Sequence, residues 1–263
     1  MTCIAPPELK AFLLHVRDAA RAVTLPAFAA SLDGENKAAD GSYDPVTEAD
    51  RGAEQAIRAL VEQRWPDDSI SGEEFGIRAG TTNRLWSLDP IDGTRAFVSG
   101  LASWTTLVGV LDEGRAVAGM IDVPRLDETY LAAGAATLLI DAVGERALRA
   151  SACDGIAGAR LATTDPFLFT DNEAAAFDDV RRRARITRYG LDAYAYARLA
   201  AGTIDLVIES GLKTYDYDAL VPVVRGAGGV IGNWRGEDEF GEGKVVAAAT
   251  RKLFDEAVAL LSA

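Results

Sequence analysis

The 263-residue sequence is poor in the side chains that usually announce redox or thiol chemistry: it holds two cysteines, Cys3 and Cys153, and a single histidine, His15. Two distant thiols make no disulfide framework and read as buried or incidental, which excludes a disulfide-stapled secreted domain. His15 falls in a segment of helical spacing and is expected on the surface, so any acid–base chemistry must rest on other groups. Positive charge is also scarce. Against 40 acidic residues there are 27 Lys and Arg, for a formal net charge of −13, which argues against a nucleic-acid partner. The basic run Arg181, Arg182, Arg183, Arg185 and Arg188 reads as a solvated helix face leading into a strand. No stretch of about eighteen apolar residues is present, and Pro6, Pro7 and Glu8 interrupt anything like a signal peptide. The expectation is a cytoplasmic protein without a membrane partner.

About half of the residues, 49%, are hydrophobic, enough for one large domain or two packed ones. Leu9, Phe12, Leu13, Val16, Ala20 and Val23 recur at helical spacing. After a polar stretch over 31–43, Thr47 is a candidate N-cap for a second helix carrying Ala53, Ala56, Ile57, Leu60 and Val61 and ending near Pro66. Strands are expected at 104–111, 115–123 and 128–132, the first two joined through Asp112, Glu113 and Gly114. Beyond Arg149 the pattern changes. Strand-like segments (160–163, 185–189, 204–208, 245–249) alternate with helical ones (173–184, 192–201, 216–226, 252–261). An α+β half over 1–145 followed by an α/β half over 146–263 is expected, the two packed tightly together.

The most informative run is Leu88, Asp89, Pro90, Ile91, Asp92, Gly93, Thr94. Leu85, Trp86 and Leu88 suggest a buried strand. Pro90, which has no amide hydrogen to donate, is expected to end its central ladder and force a turn. Gly93 permits positive φ or close backbone approach, and Thr94 is suited to cap a helix through Ala96 and Phe97. A helix start beside two acids is a place where phosphate and cations can meet. Three further acidic segments accompany it: Asp44 to Asp50, Gly72 with Glu73 and Glu74, and Asp216 with Asp218. Each alone has an ordinary reading, as helix-terminal or loop acids.

Their order and spacing resemble the inositol monophosphatase superfamily of Mg²⁺-dependent sugar-phosphate phosphatases. Asp44-Pro45-Val46-Thr47-Glu48-Ala49-Asp50 resembles the family's first motif and Ser71-Gly72-Glu73-Glu74 its second. Asp89-Pro90-Ile91-Asp92-Gly93-Thr94 matches its central signature, and Asp216 followed by Ala227-Gly228-Gly229-Val230 resembles the last. The resemblance covers nearly the whole chain. It implies a layered α/β/α/β/α sandwich and a homodimer.

Carried over position by position, it implies that Glu73, Asp89, Asp92, Asp216 and the Ile91 carbonyl hold two or three Mg²⁺ ions. An all-oxygen donor set suits Mg²⁺, with Mn²⁺ as a substitute. The reaction implied is attack of a metal-activated water on a phosphate monoester. Glu73 and Thr94 would manage the nucleophile's proton, with Asp50 in support, while Asp92, Gly93 and Thr94 cradle the phosphate. Within the superfamily the chain is most similar to the histidinol-phosphate phosphatase branch, through Gly93-Thr94-Arg95-Ala96-Phe97, Asp192-Ala193-Tyr194-Ala195-Tyr196-Ala197 and Gly211-Leu212-Lys213-Thr214-Tyr215-Asp216-Tyr217. Tyr215 stands where inositol phosphatases typically have Trp, and Arg95-Ala96 where they commonly have Thr-Asn. Asp192 and Glu209 are candidate partners for the cationic alcohol of histidinol, and Arg188 for the phosphate or a partner subunit. Other readings are an inositol or nucleotide 3′-phosphate phosphatase, and a non-catalytic metal-binding regulatory protein.

Overall fold

Period-two alternation splits the strands' side chains between two faces, and the fold consists of covering each face with helices. The computed structural model describes residues 4–30, 35–36, 45–46 and 48–262. Its elements run α1 (Pro6–Ala30), β1 (Glu35–Asn36), β2 (Pro45–Val46), α2 (Glu48–Arg64), β3 (Ser69–Gly72), β4 (Gly76–Arg78), β5 (Arg84–Asp92), α3 (Thr94–Val98), β6 (Thr105–Asp112), β7 (Arg115–Val123), β8 (Glu128–Ala132), β9 (Thr137–Asp141) and β10 (Gly144–Ala147). They continue with β11 (Arg160–Thr163), α4 (Asp171–Arg183), β12 (Ile186–Tyr189), α5 (Tyr194–Ala200), β13 (Leu206–Glu209), α6 (Thr214–Tyr217), α7 (Leu220–Gly226), β14 (Val230–Asn233), β15 (Val245–Ala248) and α8 (Arg251–Leu261). Thr47, expected as a cap, the acid Asp44 and most of the polar 31–43 stretch lie outside the described residues. Among the described residues, no helix is long and apolar enough to cross a membrane.

Eight strands form one sheet in the order β10-β9-β8-β7-β6-β5-β3-β4, and five form a second in the order β12-β11-β13-β15-β14. On β6 and β7, Val108, Val110, Ala118 and Met120 face α1 and α2. Their neighbours Leu107, Ile121 and Val123 face the opposite way, into a core shared with α5, α7 and the inner face of the smaller sheet, where Val207, Val245 and Ala247 lie. The outer face of that sheet, with Leu206, Ile208 and Val246, packs on Phe177 of α4 and Leu253 and Phe254 of α8. Five layers result: helices, large sheet, helices, small sheet, helices. This is the layered sandwich that the motifs imply.

One local expectation is corrected. The strand does not end at Pro90: β5 runs to Asp92 between β3 and β6. Its pairing with β6 shifts, Asp89 opposing Leu107 and Asp92 opposing Thr105, so three steps on β5 match two on β6. β3 has already ended, with Gly72 opposite Leu88. Pro90 therefore sits at a bulge with an open flank, where its missing donor breaks no ladder, and the Thr106 hydroxyl donates to its carbonyl at 2.7 Å.

The acid-bearing strand is held from beneath by aromatics. Trp86 is fully buried, stacks on Trp65 at 5.1 Å and meets Phe12 edge-on at 5.3 Å. Its indole N–H donates to Asp68 at 3.0 Å, and Asp68 also pairs with Arg84 at 3.1 Å. These contacts fasten β5 to α1 and α2. Trp86→Ala should therefore cost about 3–5 kcal/mol of unfolding free energy in urea titration, and a loss under about 1 kcal/mol would contradict the anchoring role.

Candidate active site

In a regular strand Asp89 and Asp92, three residues apart, would point to opposite faces. The extra residue of the bulge reverses that, and both carboxylates join Asp216 with oxygens within 4.8 Å of one another. A second group, Asp50, Glu73 and Glu74, is equally close-knit. Asp50 comes from the first turn of α2. Glu73 follows β3, whose parallel pairing with β5 brings it beside Asp89, its amide donating to the Leu88 carbonyl at 3.2 Å. Glu74 turns aside to pair with Arg51 at 3.3 Å. Asp89 links the groups: it feels the charges of Glu73, Asp92, Asp216 and Asp50.

The electrostatics are those of crowded, buried anions. Burial first, and then these neighbouring carboxylates, push Asp89 well above the usual carboxylate range. Burial, with Asp192 and Asp216 nearby, does the same to Asp92, and burial raises Asp216 to about 7. Asp89 is 2% exposed, and its Oδ1 atom meets no hydrogen-bond partner in the protein. An oxygen-only cluster containing a buried, unpartnered carboxylate oxygen fits a hard divalent cation. Other oxygens are already committed. Asp92 Oδ2 accepts from the Thr105 hydroxyl at 3.0 Å and the Ala193 amide at 2.8 Å, and Asp216 Oδ2 accepts from the Lys213 amide at 2.6 Å. Asp218 stands apart from both groups, buried, and burial raises it to about 6.

Gly93, not Thr94, caps α3, with φ of 81°. A side chain there would be strained by that φ, and its Cβ would press on Asp192 Oδ2 at 3.0 Å. Thr94 is the first residue of that five-residue helix, and its hydroxyl donates to the Ile91 carbonyl at 3.2 Å. The Ile91 oxygen expected to meet a cation thus already accepts one hydrogen bond.

Beside these groups opens a cleft of about 260 Å³ lined by Asp92, Thr94, Asp192, Tyr196, Glu209 and Asp216, with Arg95 and Leu168 also on its wall. Asp192 precedes α5 in a left-handed conformation, φ 47°, and burial raises its pKa to about 6. Glu209, at the end of β13, is 4% exposed. It accepts from the Thr164 amide at 2.8 Å, the Thr164 hydroxyl at 3.0 Å and the Thr163 hydroxyl at 3.1 Å, while burial lifts it to about 8. Arg188 is not brought to the cleft: it is exposed on β12, the edge strand of the smaller sheet. Sequence reasoning gave no role to Tyr196, whose buried hydroxyl finds no partner, or to Thr163 and Thr164. Nothing in their local sequence marks them. His15 is exposed on α1, as expected.

The inositol monophosphatase family profile matches residues 7–263. A curated plant protein, the chloroplastic bifunctional phosphatase IMPL2 of Arabidopsis thaliana, is 41% identical over 208 residues, which span 78% of this chain and 59% of that protein. A histidinol-phosphatase of Streptomyces coelicolor is 34% identical over 95% of this chain and 96% of its own length. Among solved structures, an inositol monophosphatase from Zymomonas mobilis superposes with a TM-score of 0.87 at 38% identity, over 99% of this chain and 100% of that one. The chain belongs to the inositol monophosphatase family of metal-dependent phosphatases.

Proposed function

We propose that this protein hydrolyses L-histidinol phosphate to L-histidinol and inorganic phosphate. The observation that carries the reading is the pair Asp192 and Glu209 on the cleft wall, two carboxylates beyond those gathered for cations. An uncharged polyol could meet both only through hydrogen bonds from its hydroxyls. A substrate ammonium would give each a charge-assisted partner, a stronger match for a buried carboxylate than a neutral hydroxyl. The full-length similarity to a protein named histidinol-phosphatase supports the same choice. A second reading, inositol 1-phosphate as substrate, is favoured by the likeness to the Zymomonas inositol monophosphatase.

In this reading Asp89, Asp92, Asp216 and Glu73 hold Mg²⁺, with the Ile91 carbonyl as a further donor. Bound divalent cations supply positive charge for the phosphate and lower the pKa of water. The chain's own groups do the rest. Glu73 takes up the nucleophile's proton with Thr94 orienting it, and Asp50 keeps that corner anionic. Gly93, lacking a side chain, lets the phosphate approach the start of α3. Asp192, close against Gly93, and Glu209, fixed by two threonines, receive the amine of the alcohol.

Phosphate release from histidinol phosphate, inositol 1-phosphate and 3′-phosphoadenosine 5′-phosphate, measured at equal concentrations with Mg²⁺, tests the assignment. Fastest turnover of histidinol phosphate is expected, and preference for inositol phosphate would overturn it. Asp89→Asn should cost at least about 3 kcal/mol of transition-state stabilisation, roughly 100-fold in rate. Asp192→Asn should lower kcat/KM for histidinol phosphate by roughly 10- to 100-fold, and for a neutral-alcohol ester far less; equal losses would make Asp192 merely structural.

The raised carboxyls also set a pH dependence. Glu209 keeps its proton to about pH 8 in the fold but to about 4.5 when unfolded, so its contribution to stability is complete below the lower value and lost as pH rises through the higher one. Asp216, raised to about 7, acts in the same sense. The cation-free protein should therefore melt at lower temperature at pH 8 than at pH 5.5, and Mg²⁺ should narrow the gap. A melting temperature that rises with pH in chelator would contradict this.

A further inference from the structure

α2 places Asp50, Glu54 and Arg58 one helical turn apart on one face, and all three converge on the tip joining β3 to β4. Asp50 belongs to the cluster with Glu73 and Glu74. Glu54 is fully buried, an unfavourable place for a carboxylate unless its oxygens are matched. They are matched by that tip: Glu54 accepts from the Glu74 amide at 2.7 Å and the Phe75 amide at 3.3 Å. Arg58 neutralises it at 2.7 Å and also donates to the Gly76 carbonyl. Gly72 completes the fit, since a Cβ there would stand 2.2 Å from Glu54 Oε1. Glu73 thus sits in a backbone clamped on both sides, its own amide on the Leu88 carbonyl and the next amide on Glu54.

We infer that Glu54 is a positioning residue for the cation site: it fixes the Glu73 backbone so that the Glu73 carboxylate is presented to Asp89, with Arg58 as its counter-ion and Gly72 making room. The inference rests on the proposed role of Glu73 as a cation ligand. A simple staple between helix and hairpin would affect stability alone, whereas a positioning residue must change cation affinity in protein that remains folded. Groups that orient metal ligands from behind typically alter affinity about 10- to 100-fold.

The test is calorimetric titration of Mg²⁺ and Mn²⁺ into the chelator-treated full-length protein, with circular dichroism and melting curves confirming the fold of each variant. Glu54→Ala should weaken cation binding by roughly 10- to 100-fold. Glu54→Gln, which keeps one acceptor oxygen for the Glu74 amide, should recover part of that loss. The double variant Glu54→Ala with Arg58→Ala leaves no unpaired buried charge, and carries the test if Glu54→Ala alone does not fold. Folded variants that bind within twofold of wild type would overturn the inference while leaving the site reading intact. Wild-type protein that binds no cation, or Glu73→Gln that binds as wild type does, would overturn the role of Glu73 and this inference with it.

Discussion

The architecture of the site depends on the mutual repulsion of carboxylates held where water cannot fully screen them. Two unit charges about 5 Å apart repel by about 3 kcal/mol at an effective dielectric constant of about 20. Asp50, Glu73, Asp89, Asp92 and Asp216 impose several such terms on one small volume. Left to themselves the side chains would turn away or stay protonated, so each is held by rigid structure. Asp89 and Asp92 are set by a strand with a bulge, Glu73 by a parallel strand pair, Asp50 by a helix and Asp216 by the Lys213 amide. The convergence creates a demand for positive charge that a hard divalent cation would meet.

Much of this was legible in the linear chain, where the signal is local. Arg115–Val123 and Glu128–Ala132 occupy the expected bounds, because both strands are buried on both faces along most of their length and their apolar residues form near-continuous runs. The four acidic segments stood out as clusters for the same reason. What failed was non-local. The bulge at Pro90 depends on the Thr106 hydroxyl and on β3 having already ended, neither of which the run from Leu88 to Thr94 contains. The helix expected over 216–226 divides into α6 and α7, and β9, β10 and β14 were not anticipated, β10 being exposed throughout and so without a buried face to set a pattern.

The basic run shows how charge counting and geometry agree. Arg181 and Arg182 pair with Asp178, and Arg183 with Asp179, on the exposed side of α4. Acids on the same helix meet this positive charge, which makes no continuous basic surface. The cleft is different: its carboxylates have few cations nearby, and Arg95 on its wall is itself paired with Asp165 at 3.2 Å.

The hydrogen bond from the Ala193 amide to Asp92 spans 101 residues of sequence. One carboxylate thus serves two ends: it closes a long loop between the large sheet and the helix layer, and it belongs to the acidic cluster. In the language of polymer statistics, closing so long a loop is a cost the chain meets only on reaching its complete topology. The complete set of carboxylates, Asp216 included, comes together only in the folded chain, so an ion that occupied the pocket would distinguish native from denatured molecules. Such an ion would stabilise the entire fold, by an amount that grows with the logarithm of its concentration once that concentration exceeds its dissociation constant, so cation supply would bear on the protein's stability as well as on its chemistry.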